Sequence, residues 1–366
     1  MRVREASGPC PRSIEVFSLN TESPESAASA AGAATPRLRR YQSPNTLRSI
    51  VELAITAAPL VLLWGLAWAA LHAGHWWGLL FTVPAGAFLV RLFMVQHDCG
   101  HGAFFRQKAL NDWVGRAIGV FTLTPYDHWR KRHALHHATA GDLDRRGFGD
   151  VDTLTVEEYL ALPRRRRLGY RLYRHPAVMF VLGPAYVFLI THRLPLGEMT
   201  SGWRPWLSTM GTNLAIAAIV VGMMLLVGAR TFLLVQAPIT LTAAAIGVWL
   251  FYIQHQYEGV VWVRSPNWSL REAAISGSSH YHLPGPLGWI TANIGVHHVH
   301  HLSSRIPFYR LRQVLRDYPE LDGNRLTVGQ SLRGVGLALW DEARQKLISF
   351  RDLRGKPRRA DPLAAS

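Results

Sequence analysis

Long uncharged apolar runs dominate the hydropathy pattern of this chain, and they come in pairs. Ala54 to Leu71 carries no charge, and Trp76 to Val95 carries one, Arg91, near its end. Leu214 to Ala229 and Phe232 to Ile253 form a second pair. Segments of about 17 to 25 mostly apolar residues are long enough to cross a bilayer core as helices. The pattern therefore predicts an all-α integral membrane protein with four transmembrane helices in two hairpins.

A fifth apolar stretch, Ala177 to Ile190, is short for a span. Arg164 to Arg167, Arg171 and Arg174 precede it, and Arg193 and Arg204 follow. Loops rich in Lys and Arg stay cytoplasmic, so both flanks are expected on that side and the stretch reads as an interfacial or re-entrant hairpin. Trp113 to Pro125 reads as a second surface-lying piece, and Arg305 to Leu321 as a short amphipathic helix after Pro307. Arg37, Arg39, Arg40 and Arg48 precede the first span, while the loop from His72 to His75 has no Lys or Arg. Both termini, and the polar segments between and after the hairpins, are thus expected to face the cytoplasm as a helical cap.

The chain divides on composition into residues 1–46, a flexible tail rich in Ser, Ala and Pro; 47–321, the membrane domain; and 322–366, a basic C-terminal helix and tail, loose from Arg351. The tail has no apolar core, so it is neither signal peptide nor span. A net charge of +16, mostly Arg flanking the spans, suits anionic lipid headgroups. No nucleic-acid module is visible, so nucleic-acid binding is not expected. Two cysteines, Cys10 and Cys99, are too few for a disulfide framework.

Between the apolar runs lie three histidine clusters: HDCGH at His97 to His101, HALHH at His133 to His137, and HHVHH at His297 to His301. Residues three and four apart on a helix share a face. His97 with His101, His133 with His136 and His137, and His297 with His300 and His301 each meet that spacing. Neutral imidazole suits iron, zinc, copper and nickel better than hard cations. Eight such ligands are too many for one tetrahedral zinc, and two metals side by side fit better. A zinc-protease helix needs Glu after the first His, where this chain has Asp98. Cys99 is turned away from the face that His97 and His101 share, so it is expected to pack rather than to ligate. Isolated histidines such as His175 and His192 read as satisfied core residues. Asp98, Asp144, Asp152 and Glu258 are candidates to hold the second ring nitrogens of ligands, and Asn293 is a comparable candidate.

The three boxes, in order and spacing, resemble those of the membrane fatty acid desaturases. FMVQHDCGHGAFF, HWRKRHALHHA, YIQHQYEG from Tyr252 and TANIGVHHVHHLSSRIPFYRL from Thr291 are similar to the omega-6 (delta-12) acyl-lipid branch in particular. The resemblance implies a cytoplasm-facing di-iron site that uses dioxygen and two electrons to remove two hydrogens from a fatty acyl chain. It carries eight ligands onto His97, His101, His133, His136, His137, His297, His300 and His301. A further ligand is expected between boxes two and three; His255, ending the fourth predicted span, is the candidate, with His280 and His282 behind it. The sequence has no fused haem or flavin module, so a ferredoxin or cytochrome b5-like donor is expected to supply electrons. A histidine-box hydroxylase acting on acyl, alkane or carotenoid substrates remains an alternative. A metal transporter is another, disfavoured because the predicted apolar runs hold no His or Asp.

Overall fold

The computed structural model describes residues 36–147, 151–322 and 324–355. Most of the expected N-terminal tail and the last residues of the C-terminal one lie outside the described residues.

Helix α1 (Thr46–His72) starts where the Asn45 side chain accepts a hydrogen bond from the Arg48 N–H at 2.9 Å. A 3-10 turn over Trp76–Phe81 reverses the chain into α2 (Thr82–Gly100). Two shorter helices follow, α3 (Lys108–Phe121) and α4 (Tyr126–Thr139). The second long pair is α5 (Trp203–Val227) and α6 (Ala229–His255), and α7 (His297–Leu302) is a single short helix. Among the described residues four helices are long and apolar enough to cross a membrane, counting the 3-10 turn with α2. They extend past the apolar runs that predicted them, and α2 and α6 carry His97 and His255 in their last turns.

Helix α2 is the inner one, buried along most of its length and packed between α1 and α6. Gly86 permits the approach to α6, since a Cβ there would meet Thr242 Cβ at 2.7 Å. The apolar windows of α5 and α6 are 0% and 22% buried, and Leu214, Leu225 and Leu226 of α5 are largely exposed. Apolar surface on that scale calls for lipid or a partner rather than water. The charge inside the second apolar run is paired: Arg91 bonds Glu52 of α1 and the Trp289 carbonyl, and donates to Thr56 Oγ1 at 3.1 Å. Glu52 also meets Arg48 at 2.6 Å.

The fifth stretch folds as a π-helical turn (Val178–Leu182) and a short helix (Gly183–Leu189), bent 60° from Arg164–Tyr173. Arg174 before it donates to Gln256 Oε1 at 3.0 Å, directly beyond the end of α6. Arg193 after it bonds the Leu123 carbonyl, and the neighbours of Leu123, Thr122 and Thr124, bond Gln96 beside His97. Both ends therefore lie at the histidine end of the bundle, as expected of a hairpin.

The all-α expectation needs correction, because short strands join the helices. β1 (Leu154–Thr155), β4 (Leu337–Asp341) and β5 (Lys346–Ser349) form one sheet, parallel between β1 and β4 and antiparallel between β4 and β5. β2 (His280–Tyr281) pairs in parallel with β3 (Arg325–Leu326). The C-terminal part, expected as a basic helix, holds a helix over Val328–Gly334 and then the β4–β5 hairpin. Leu339 and Ile348 close a small second core with Val156, Tyr159 and Tyr170. Strands of two to five residues are too short for their alternation to stand out from the helical pattern.

Candidate metal centre

Each histidine cluster reaches the site by a different route. His97 stands on the last turn of α2, and His101 caps it with its N–H on the His97 carbonyl at 3.2 Å. Helix α4 is tied to that helix end by Tyr126, whose hydroxyl donates to the Cys99 carbonyl at 2.9 Å. Helix α7 follows a tight turn in which Ala292 and Asn293 both have φ of 54°. There Gly295 lies directly on the Tyr281 carbonyl, a contact that excludes any side chain, and its own carbonyl accepts the Tyr281 N–H at 2.7 Å. His255 is the final residue of α6.

The nine histidines resolve into two groups. His97, His101, His133, His137 and His300 form the first, and His136, His255, His297 and His301 the second; within each, one nitrogen per ring lies within 4.8 Å of all the others. Neighbours in sequence part company: His136 and His137 serve different groups, as do His300 and His301. A spacing of about one turn explains it, since His133 and His137 share a face and His297 and His301 share one, whereas adjacent residues point about 100° apart.

Several rings meet nitrogen to nitrogen. His137 Nε2 lies 3.1 Å from His133 Nε2 and 3.2 Å from His300 Nε2, and His133 Nε2 lies 3.1 Å from His101 Nε2. In the second group His297 Nε2 is 3.0 Å from both His255 Nε2 and His301 Nε2. Burial pushes His101 down to about 3 and holds His133, His137, His297, His300 and His301 well below the usual imidazole range. They are neutral near pH 7, and one neutral ring nitrogen either donates or accepts. Lone pairs converging in this way fit a cation at the centre of each group. An all-nitrogen donor set fits a transition metal rather than magnesium or calcium.

Second ring nitrogens and ring faces are also held. His255 Nδ1 lies 3.0 Å from the Gly277 carbonyl, so it donates there and leaves Nε2 as the lone-pair atom facing the group. His97 Nδ1 lies 3.2 Å from Asp98 Oδ1, and Asp98 Oδ2 accepts the Phe308 N–H at 2.7 Å, tying the first box to the segment after the third. Trp129 stacks on His133 at 4.7 Å between centroids, and Phe251 packs on His136 at 5.0 Å.

Other candidates lie elsewhere. Cys99 is buried in the core and belongs to neither group. His280 bonds Asp322, and His282 Nε2 lies 2.9 Å from an Arg325 nitrogen, and neither belongs to the two groups. His298 turns outward to the Leu321 carbonyl at 2.7 Å. Asp144 pairs with Arg264 at 2.6 Å, Asp152 takes part in the Tyr173 and Tyr170 contacts, and Glu258 is exposed. Asn293 sits in the turn before α7 rather than on its face.

Beside the two groups opens a cavity of about 600 Å³, lined by Leu89, Phe93, Met179, Phe180, Val248 and Phe251, with His133 and His136 in its wall. One histidine of each group thus borders a largely apolar space of the size that holds a small-molecule ligand. Sequence reasoning missed these lining residues, which are ordinary apolar positions of membrane helices and of the bent stretch. Only Trp129, four residues before His133, carries a spacing that could have placed it beside a ligand.

The sequence matches the family model "Fatty acid desaturase" over residues 74–330. It is 44% identical over 325 residues to a Bacillus subtilis protein named "Fatty acid desaturase", covering 88% of this chain and 92% of that one. It is 27% identical over 240 residues to a Synechocystis protein named "sn-1 acyl-lipid omega-3 desaturase (ferredoxin)", covering 64% of this chain and 65% of the relative. A Nostoc protein of the same name is 28% identical over 247 residues, covering 63% and 64%.

Proposed function

The chain belongs to the fatty acid desaturase family, and from that premise we propose that it introduces a double bond into the acyl chain of a membrane lipid at a histidine-ligated di-iron centre. The carrying observation is that two groups of converging buried imidazoles, drawn from three sequence clusters and His255, border one apolar cavity. His97, His101, His133, His137 and His300 would hold one iron, and His136, His255, His297 and His301 the other. When bound, the pair supplies the oxidant for an unactivated methylene, which no side chain can provide.

The overall change removes two hydrogens from adjacent methylenes and consumes dioxygen, two electrons and two protons to leave two waters. What the protein contributes is placement. Phe93, Trp129 and Phe251 line the cavity where it meets His133 and His136, and they favour an alkyl chain over water there. The Gly277 carbonyl fixes the tautomer of His255, and Asp98 faces the second nitrogen of His97. The electrons come from a separate carrier, with ferredoxin supported by the names of the cyanobacterial relatives and a cytochrome b5-like protein as the other class.

In the same reading residues 47–321 are the desaturase domain, and α1, α2, α5 and α6 cross the membrane in two hairpins. The histidine groups, the cap and both termini face the cytoplasm. Arg48, Arg174 and Arg193 lie at the histidine end, and the loop from His72 to His75 has no Lys or Arg, which supports that orientation. The omega-6 (delta-12) acyl-lipid branch is proposed on the motifs quoted above. Expression in a host that makes monounsaturated lipids, followed by acyl-chain profiling, tests the reading. New dienoic chains bear it out and their bond position assigns the branch; hydroxylated chains without a new double bond overturn it.

A further inference from the structure

A second opening approaches the histidine groups from another side. It is a pocket of about 360 Å³ between the segment His280–Val296 and the helix Leu311–Asp317, and it shares no lining residue with the apolar cavity. Arg312 and Arg316, one helical turn apart and both exposed, stand on one wall, with His280 and His282 on another. Val296 lines the pocket and is joined by one peptide bond to His297, the residue on which His255 and His301 converge.

The two guanidiniums at this opening are unpaired. Neither Arg312 nor Arg316 forms an ion pair among the described residues. Arg305 and Arg325 add two exposed guanidiniums nearby in sequence and in the β2–β3 pairing. The neighbouring carboxylates are largely engaged: Asp322 bonds His280, and Asp317 accepts the Tyr41 hydroxyl at 2.5 Å and lies 3.6 Å from Arg40. Glu320 is the exposed acid that remains. The two openings therefore differ in kind. The apolar one meets His133 and His136, whereas the basic one ends one residue from His297.

Resting on the desaturase reading, we infer that the Arg312 and Arg316 pocket docks the acidic one-electron carrier protein that reduces the metal centre. Complementary charge steers such a partner and raises its association rate. Docking here places the carrier over the pocket that Val296 lines, away from the cavity assigned to the acyl chain, so substrate and carrier can be bound together. Each visit delivers one electron from a reduced carrier, and two visits serve one double bond.

The test compares the full-length, metal-loaded wild type with Arg312→Glu/Arg316→Glu and, as a control, Arg164→Glu/Arg165→Glu, all purified in detergent. An acidic [2Fe–2S] ferredoxin is titrated by surface plasmon resonance, and ferredoxin-supported desaturation is measured alongside metal content. The pocket variant is expected to weaken ferredoxin binding by about tenfold and to flatten its salt dependence. Its KM for ferredoxin rises while metal content and the KM for lipid hold. Unchanged ferredoxin binding in the pocket variant overturns the proposal, as does an equal loss in the control. Loss of soluble dihexanoyl phosphatidylglycerol binding with intact ferredoxin binding also overturns it and makes the pocket a lipid headgroup site. A wild type that binds ferredoxin through these arginines yet makes no double bond supports the docking surface and overturns the desaturase reading instead. Arg312→Lys/Arg316→Lys, which keeps the charge, is expected to restore most of the affinity; failure to do so in a folded protein counts against charge as the cause.

Discussion

His255 Nε2 lies 3.0 Å from His297 Nε2, joining the last residue of one apolar helix to the first residue of a short helix 42 positions later. This contact completes the second histidine group. His255→Ala is therefore expected to lower bound metal by about half and activity by at least about a hundredfold, with the protein still inserted in the membrane. His298→Asn, next to His297 in sequence but turned to the Leu321 carbonyl, is expected to keep full metal content. Metal analysis of the two purified variants, with acyl profiling, checks this, and equal metal loss in both would refute the assignment of His255.

The apolar cavity offers a steric test. Gly247 lines it from α6, and a Cβ at that position would meet nothing within 4 Å. Gly247→Phe is expected to fill the cavity without straining the fold, and replacing a helical glycine by Phe adds about 0.3–0.5 kcal/mol of helix stability. Activity on long acyl chains should fall by about tenfold or shift toward shorter chains while metal content stays the same. Competition between lipids of different chain length measures it.

Glu52 and Arg91 are each 1% exposed and face one another between α1 and α2. Arg91→Leu leaves a buried carboxylate with Arg48 alone and is expected to cost about 3 kcal/mol of stability. Glu52→Leu/Arg91→Leu removes both charges and should recover most of that loss. Thermal unfolding in detergent distinguishes the two, and a double variant as unstable as the single one would show that the pair contributes more than mutual neutralisation.

Cys99 sits inside the first histidine cluster in sequence and outside both groups in space. Cys99→Ala is expected to keep metal content and activity within about twofold and to cost about 1 kcal/mol through lost packing. Loss of metal in a folded Cys99→Ala protein would make the thiol a ligand after all.

Much of the site was legible because metal ligation demands particular residue types at helical spacing. The eight box histidines and His255 all fall within the two groups. The weaker candidates illustrate what spacing cannot supply. His280, His282 and His298 are close to the boxes along the chain, yet hydrogen bonds to Asp322, Arg325 and the Leu321 carbonyl hold them elsewhere. Asp98 and Asp144 looked equivalent as supports for ligands. Asp98 meets His97, whereas Asp144 is taken by Arg264, 120 residues away.

Hydropathy, flanking arginines and histidine spacing by themselves pointed to the four long apolar helices, the return of the fifth stretch and the all-nitrogen donor set of the candidate site. These follow from local rules, namely the length that crosses a bilayer and the angle between successive side chains. The tertiary structure alone decided which histidines share a group, dividing His136 from His137 and His300 from His301. It also decided that one cavity is walled by α2, α4, α6 and the bent stretch together, and that Val296 opens onto a basic pocket. Those relations depend on how helices distant in sequence pack, with approaches such as Gly86 on α6 and Gly295 on Tyr281 setting the distances. A residue's neighbours along the chain carry no record of that packing.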